Sequence, residues 1–391
     1  MAEDDERRER EERTSRALLG AAQGAADPEA LDDAAVAPWL DALLAQAIAL
    51  RVTDVHLEPA PDAAIVRYRI DGVLYPARYV SQASFPPIVR ELELRAGLTE
   101  ATPSLPRSGR MSITMGVGAV VMDVFVVPTR RGERVVIRIL ESASPRLGDL
   151  GLSPAHRALL DRLFERSSGL LISCGPTSSG KSTTLYALAG ELARRGLVAV
   201  AVEGQSTRAS PPLLTIPILP RDGLQRAVGI ALQRDPDVLL IEELLDRAAI
   251  ELALELADTR IVLAASNALS FERLDALGIE PGRARGRVSA VIHQSLVRVL
   301  CAACKEAYEA DESDIAVRAA AMSRITLSRA VGCSACIYTG VRGRTGVFAF
   351  ERPVDADGGA QSIAERLRED GMRHVLAGIT TCDEVVAATL C

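Results

Sequence analysis

Lysine is nearly absent from this chain: of its 45 basic residues only Lys181 and Lys305 are lysines, and the rest are arginines. A position that keeps lysine against that bias suits a slim ammonium better than a planar fork, as phosphate held by backbone does. Aromatic residues are scarce too, at 3%, and the net charge is −7. The chain therefore lacks both the basic surface and the stacking platform of a nucleic-acid binder, and no nucleic-acid partner is expected. No apolar run approaches the roughly 20 residues that span a bilayer. The opening M-A-E-D-D-E-R-R-E-R-E-E-R has no signal-peptide apolar stretch, so a cytoplasmic location is expected. Cysteine is too sparse and too clustered for a disulfide framework. Four of the seven form two C-x-x-C pairs, while Cys174, Cys382 and Cys391 stand alone and read as small apolar residues.

At 391 residues, with 48% hydrophobic and 25% charged, the chain has the composition of a globular protein of two to three domains. Residues 1–30 mix both signs of charge without an apolar period and read as a solvated, disordered tail. From 31 to 142 a helix over Val36–Leu50 is followed by short strands. An Asp71-Gly72 hairpin turn, a helix near Pro86–Ala96 and three more strands complete a small α+β domain. Residues 143–153 carry the proline and glycine of a linker. From 154 to 300 strands and helices alternate, as in a doubly wound, mainly parallel sheet. A four-cysteine segment, 301–345, and a helical region, 346–391, close the chain.

Within the alternating stretch, residues 170–186 read L-L-I-S-C-G-P-T-S-S-G-K-S-T-T-L-Y. An apolar strand runs into Gly-x-x-x-x-Gly-Lys-Ser and then into a helix, the context that defines a P-loop. Gly175, Pro176, Thr177, Ser178, Ser179, Gly180, Lys181, Ser182 and Thr183 are its nucleotide-binding residues. Backbone N–H groups and the helix N-terminus would face phosphate oxygens, Lys181 the β and γ phosphates, and the Ser182 hydroxyl Mg²⁺. ATP and Mg²⁺ are thus the expected ligands. Asp237-Val238-Leu239-Leu240-Ile241-Glu242-Glu243 is an apolar strand ending in acids, where Glu243 would support the metal and the attacking water. Glu203, which ends a neighbouring strand V-A-V-A-V-E, is the candidate general base.

Cys301-x-x-Cys304 and Cys333-x-x-Cys336, with 28 residues between the pairs, offer four thiolates and no open position. That set suits structural Zn²⁺ rather than catalysis. The intervening stretch is expected to hold a helix near Asp314–Met322. Histidines 56, 156, 293 and 374 show no metal spacing and read as structural.

Taken together these motifs resemble the secretion ATPases of type II secretion and type IV pilus assembly over residues 36–391. The signatures are Thr53-Asp54-Val55-His56-Leu57-Glu58-Pro59, Arg67-Tyr68-Arg69-Ile70-Asp71-Gly72-Val73-Leu74, Gly132-Glu133-Arg134-Val135-Val136 and the extended P-loop. Asp235-Pro236-Asp237, the four cysteines, Thr339-Gly340 to Thr345-Gly346 and Gly378-Ile379-Thr380-Thr381 continue the series. The resemblance implies a RecA-like ATPase domain preceded by a PAS-like α+β domain, with a zinc-binding insertion and C-terminal helices. It implies a homo-hexamer, or a mixed ring with a paralogue, at the inner membrane, where ATP turnover moves a membrane platform protein. Arg110 and Arg134 match arginines that approach the phosphates in the family. Only the short tail stands in place of the large N-terminal domain by which many members dock.

Several positions depart from the family pattern. Val202-Glu203-Gly204-Gln205 keeps one acid of V-E-D-P and loses the next, and Phe125 replaces an arginine. Glu242-Glu243-Leu244-Leu245-Asp246 replaces G-E-I-R-D. Gly229 and Gln233 replace arginines before the acidic strand, and Arg260 and Asn267 replace two histidines. Two readings follow: an ATP-hydrolysing motor subunit, or a nucleotide-binding paralogue that does not hydrolyse and regulates a similar ring.

Overall fold

Alternation of apolar and polar residues builds the first sheet, and continuous apolar runs build the second. The computed structural model describes residues 2–22, 31, 33–98, 105–115, 118–140, 146–204, 213–219, 223–267, 269–310, 325–353 and 361–389. They fall into two units: residues 1–142 with 300–306 and 330–343, and residues 143–299 with 307–329 and 344–391.

In the first unit β1 (Asp54–Pro59), β2 (Ala63–Ile70), β3 (Val73–Ser81), β4 (Arg107–Met115), β5 (Gly118–Thr129) and β6 (Gly132–Ile139) form one sheet. Their order is β3-β2-β1-β6-β5-β4, with antiparallel neighbours throughout. Val55, Leu57, Val66, Tyr68, Val124, Val135 and Ile137 project to one side and are buried. They share a core with Leu40, Leu43 and Leu44 of α2 (Asp33–Ala49) and Ile88 and Leu92 of α3 (Phe85–Arg95). Strand alternation sends the intervening residues to the opposite face.

The expectation of a disordered tail is corrected over Ala2–Ala22, which is an α-helix, α1. Its charged sequence shows no apolar stripe, yet Leu18 and Thr14 are buried and Leu18 joins the first core. Arg10 Nη1 also donates to the Ala330 carbonyl at 3.2 Å. Packing, rather than propensity alone, stabilises such a helix.

The second unit is organised by β7 (Gly169–Cys174), buried at all six positions as a strand covered on both faces must be. It lies within a seven-stranded sheet of order β15-β12-β7-β11-β10-β8-β9. The members are β8 (Ala199–Glu203), β9 (Leu214–Pro217), β10 (Val238–Ile241), β11 (Ile261–Ser266), β12 (Val288–Leu300) and β15 (Val341–Glu351). The pairs β7/β11, β7/β12, β10/β11, β8/β10 and β8/β9 are parallel. Helices α4 (Pro154–Leu163), α5 (Lys181–Arg194), α6 (Gly223–Leu232) and α7 (Arg247–Leu256) alternate with the strands, followed by α8 (Phe271–Ala276) and α9 (Pro281–Arg287). This is the RecA-like, mainly parallel α/β domain.

The four-cysteine segment is not a separate body. Its cysteines belong to the first unit, whereas most of the two-stranded sheet of β13 (Glu306–Ala310) and β14 (Ile325–Arg329) belongs to the second. There Ala310 and Leu327 share a small core with Leu367 and Val375 of α10 (Ile363–Leu376) and Val385 of α11 (Cys382–Ala388). The helix expected near Asp314–Met322 lies outside the described residues.

Candidate functional site

The C-terminal ends of parallel strands gather at one edge of a sheet, and the turn after β7 lies there. Gly175 opens it. A Cβ on Gly175 would stand 2.3 Å from the Gln294 carbonyl oxygen and 2.6 Å from Ser179 Oγ, so no side chain fits. Pro176, Thr177 and Ser178 are exposed, Ser179 is buried, and Gly180 precedes α5, whose first residues are Lys181, Ser182 and Thr183. Ser182 is exposed in that first turn.

Buried Gln294 on β12, not foreseen from the sequence, holds the turn from below. Its Nε2 donates to the Ser179 carbonyl at 2.8 Å and its Oε1 accepts from Ser173 Oγ at 2.8 Å. The signal was a glutamine in the H-Q-S centre of the strand stretch V-I-H-Q-S-L, with apolar residues on either side.

Lys181 Nζ donates to three neutral oxygens, Gly175 O at 2.8 Å, Pro176 O at 2.9 Å and Asn267 Oδ1 at 2.9 Å. Burial lowers its pKa, opposed by the nearby Glu243 and Cys174. Asn267 Nδ2 in turn donates to Glu243 Oε1 at 2.7 Å. Lysine can only donate and carboxylate only accept, so the amide orientation is dictated by its neighbours. The residue that replaces a family histidine thus links the P-loop lysine to the acid after β10.

Glu203 is buried at the end of β8. β8 pairs with β10, and both β10 and β11 separate it from β7. Three strand spacings of about 4.8 Å put the two strands roughly 14 Å apart. The hydrogen-bond chain from Lys181 reaches Glu243. Glu242 Oε2 accepts the Gly204 N–H at 2.6 Å and ties the ends of β8 and β10 together.

Cys174, expected to be a small apolar residue, is also a polar partner. Its Sγ accepts the Leu269 N–H at 3.1 Å. His293 Nε2 lies 2.9 Å from Glu351 Oε2, and Glu351 Oε1 accepts the Phe271 N–H at 3.3 Å. Burial opposes protonation of His293, but the influence of the nearby Cys174 and Glu351 prevails and raises its pKa to about 8.

In the first unit Arg110 and Arg134 share the polar face of the sheet. Arg134 pairs with Glu58 at 2.6 Å and lies 3.4 Å from His56 Nδ1, and Arg110 pairs with Asp123 at 2.8 Å. Arg67 also pairs with Glu58, and Arg138 with Asp54 at 2.9 Å. Burial lowers the His56 pKa, with Asp54 opposing and Arg69, Arg134 and Arg67 reinforcing the shift. Phe125, opposite Val136 on β6, carries no charge onto this face.

The sulfur atoms of Cys301, Cys304, Cys333 and Cys336 all lie within 4.8 Å of one another. Cys336 Sγ is 3.8 Å from Cys304 Sγ and 3.9 Å from Cys333 Sγ. A tetrahedron with metal–sulfur bonds of about 2.3 Å has edges of about 3.8 Å, so the set fits a thiolate-bound metal. Backbone N–H groups of Gly332 and Gly340 donate to Cys304 and Cys336 at 3.3 Å each, as suits thiolates. Gly332 has φ +109°, and its Cβ would lie 2.6 Å from the Tyr338 carbonyl oxygen.

A glycine-closed turn between a buried strand and a helix, a lysine held there by neutral oxygens and an acid at the same sheet edge define a RecA-like P-loop nucleotide-binding protein. The chain belongs to the family described as Type II/IV secretion system protein, whose model matches residues 29–387. It is 33% identical over 382 residues to type II secretion system protein E of Pseudomonas aeruginosa, covering 92% of this chain and 76% of that protein. It is 29% identical over 390 residues to the type IV pilus assembly ATPase PilB of Thermus thermophilus, covering 93% of this chain and 44% of that one. The solved ATPase DotB of Yersinia pseudotuberculosis matches with a TM-score of 0.64 and 15% identity, covering 92% of this chain and 95% of that one, a likeness of fold. No helix among the described residues is long and apolar enough to cross a membrane.

Proposed function

We propose that this chain is an ATP-hydrolysing motor subunit of a type II secretion or type IV pilus assembly machine. The observation that carries this is the Lys181–Asn267–Glu243 hydrogen-bond chain, which joins a formed P-loop to a carboxylate. Phosphate would replace the neutral oxygens around Lys181 and free Asn267 to face it. The P-loop amides and Lys181 bind the triphosphate. Ser182 and Glu243 would hold Mg²⁺, which would supply charge neutralisation at the phosphate oxygens. Glu243 orients the attacking water, and Glu203 is the second acid at this sheet edge and the candidate general base.

Arg110 and Arg134 act on the nucleotide of a neighbouring subunit in a hexameric or mixed ring, which works at the inner membrane on a platform protein. The four cysteines hold a structural Zn²⁺ that fixes the loops around Gly332 and Gly340. Replacement of the family's second V-E-D-P acid by Gly204 favours the other reading, a nucleotide-binding subunit that does not hydrolyse. Steady-state phosphate release by purified protein beside Lys181→Ala decides between them. A rate clearly above that of the variant supports the motor, and an equal rate with ATP still bound supports the non-hydrolysing subunit.

A further inference from the structure

The second unit contains a cavity of about 490 Å³ between α4, β15 and α10 that shares no residue with the P-loop. Its volume lies within the roughly 300–1,000 Å³ of small-molecule sites. Four arginines line it, Arg162, Arg352, Arg366 and Arg373, against two acids, Glu369 and Asp370. The grouping follows from helix geometry. Leu159 and Arg162 on α4, and Arg366, Asp370 and Arg373 on α10, recur at three- and four-residue spacings that place them on one face of each helix.

The acid deepest in the cavity is already engaged. Asp370 Oδ2 accepts the Phe348 N–H at 2.9 Å, and Oδ1 lies 3.3 Å from Arg373 Nη2. Arg366 donates to the Phe350 carbonyl and Arg373 to the Gly151 carbonyl, the latter at 2.6 Å. These bonds fix two guanidinium planes while using only part of the five N–H donors each carries. The wall beside them is aromatic, with His156 stacked on Phe350 at a centroid distance of 4.8 Å. Preset guanidinium forks next to a flat apolar wall suit a ligand with concentrated negative charge and a less polar body. A dicarboxylate brings two charges, whereas a di- or triphosphate brings roughly three or four on oxygens that match bidentate arginine.

We propose that this cavity is a second ligand site, which takes a phosphorylated small molecule carrying at least two anionic groups. The probe is inorganic pyrophosphate, titrated calorimetrically at low salt into the full chain and into Lys181→Ala, which disables the P-loop. The same titration is repeated on Lys181→Ala carrying Arg162→Ala and Arg352→Gln, two side chains outside the nucleotide site. Binding that persists in Lys181→Ala and weakens at least about tenfold in the triple variant is expected, from the loss of two charge-assisted contacts. Equal melting temperatures of the two variants show that the fold is intact. If the triple variant melts early, Arg162→Lys, which keeps the charge, replaces Arg162→Ala and must weaken binding less than Arg162→Glu. Heat that vanishes with Lys181→Ala, or is unchanged by the arginine substitutions, overturns the proposal. So does binding of an acidic peptide where pyrophosphate gives no heat.

Discussion

The side-chain oxygen of Asn267 lies 2.9 Å from Nζ of Lys181. The same amide reaches Glu243 with its nitrogen at 2.7 Å, so one residue couples the P-loop lysine to the acid proposed to orient water. Asn267→Ala is expected to lower the hydrolysis rate by about 10²-fold, the loss seen when one preorganised donor is removed. MgATP affinity should fall much less, because the P-loop amides and Lys181 remain. Measuring kcat separately from binding checks this, and an unchanged kcat would show that the bridge is structural.

His293 makes the second unit sensitive to pH. With a folded pKa of about 8 against an ordinary 6.5, its interaction with Cys174 and Glu351 stabilises fully below about pH 6.5. That stability is lost as pH rises through about 8, and the shift corresponds to about 2 kcal/mol. Melting temperature should therefore decline between pH 6.5 and 8.5 in the native protein. In Glu351→Gln the decline should be smaller, and an equal slope in both would remove His293 from the account.

The cysteine cluster predicts about one zinc per chain, as four thiolates bind a single ion. Structural sites of this kind are worth ~10–16 kcal/mol, so Cys336→Ser should lose the metal and lower the melting temperature of the first unit. Metal analysis beside a thermal melt tests both parts. Full stability without zinc would reassign the sulfurs to a metal-free turn.

If Arg134 serves the nucleotide of a neighbour, then Arg134→Ala and Lys181→Ala each abolish turnover in a ring of one kind. Mixing the two should restore part of the activity, since some interfaces then combine an intact P-loop with an intact arginine. No recovery on mixing would place Arg134 outside the reaction.

Much of this was legible in the residue order. The glycine spacing, the strand before it and the helix after it are local, so the P-loop turn could be read without the fold. The apolar runs of β7, β10 and β11 likewise announced buried parallel strands. The partners of that turn were not legible, because they come from far along the chain. Asn267 lies 86 residues from Lys181, and Gln294 lies 115 from Ser179. As letters, Asn267 was a lost histidine and Gln294 one polar residue in a strand. The helix Ala2–Ala22 was missed because its charged faces show no stripe, and only packing around Leu18 reveals a buried side.

The most direct test is a calorimetric titration of MgATP into the native protein and into Lys181→Ala. Saturable binding to the native chain is expected, weakened about 10- to 100-fold in the variant by loss of a charge-assisted hydrogen bond worth roughly 1.5–3 kcal/mol. No heat with the native protein, or the same affinity in both, would contradict a phosphate-gripping turn at residues 175–182.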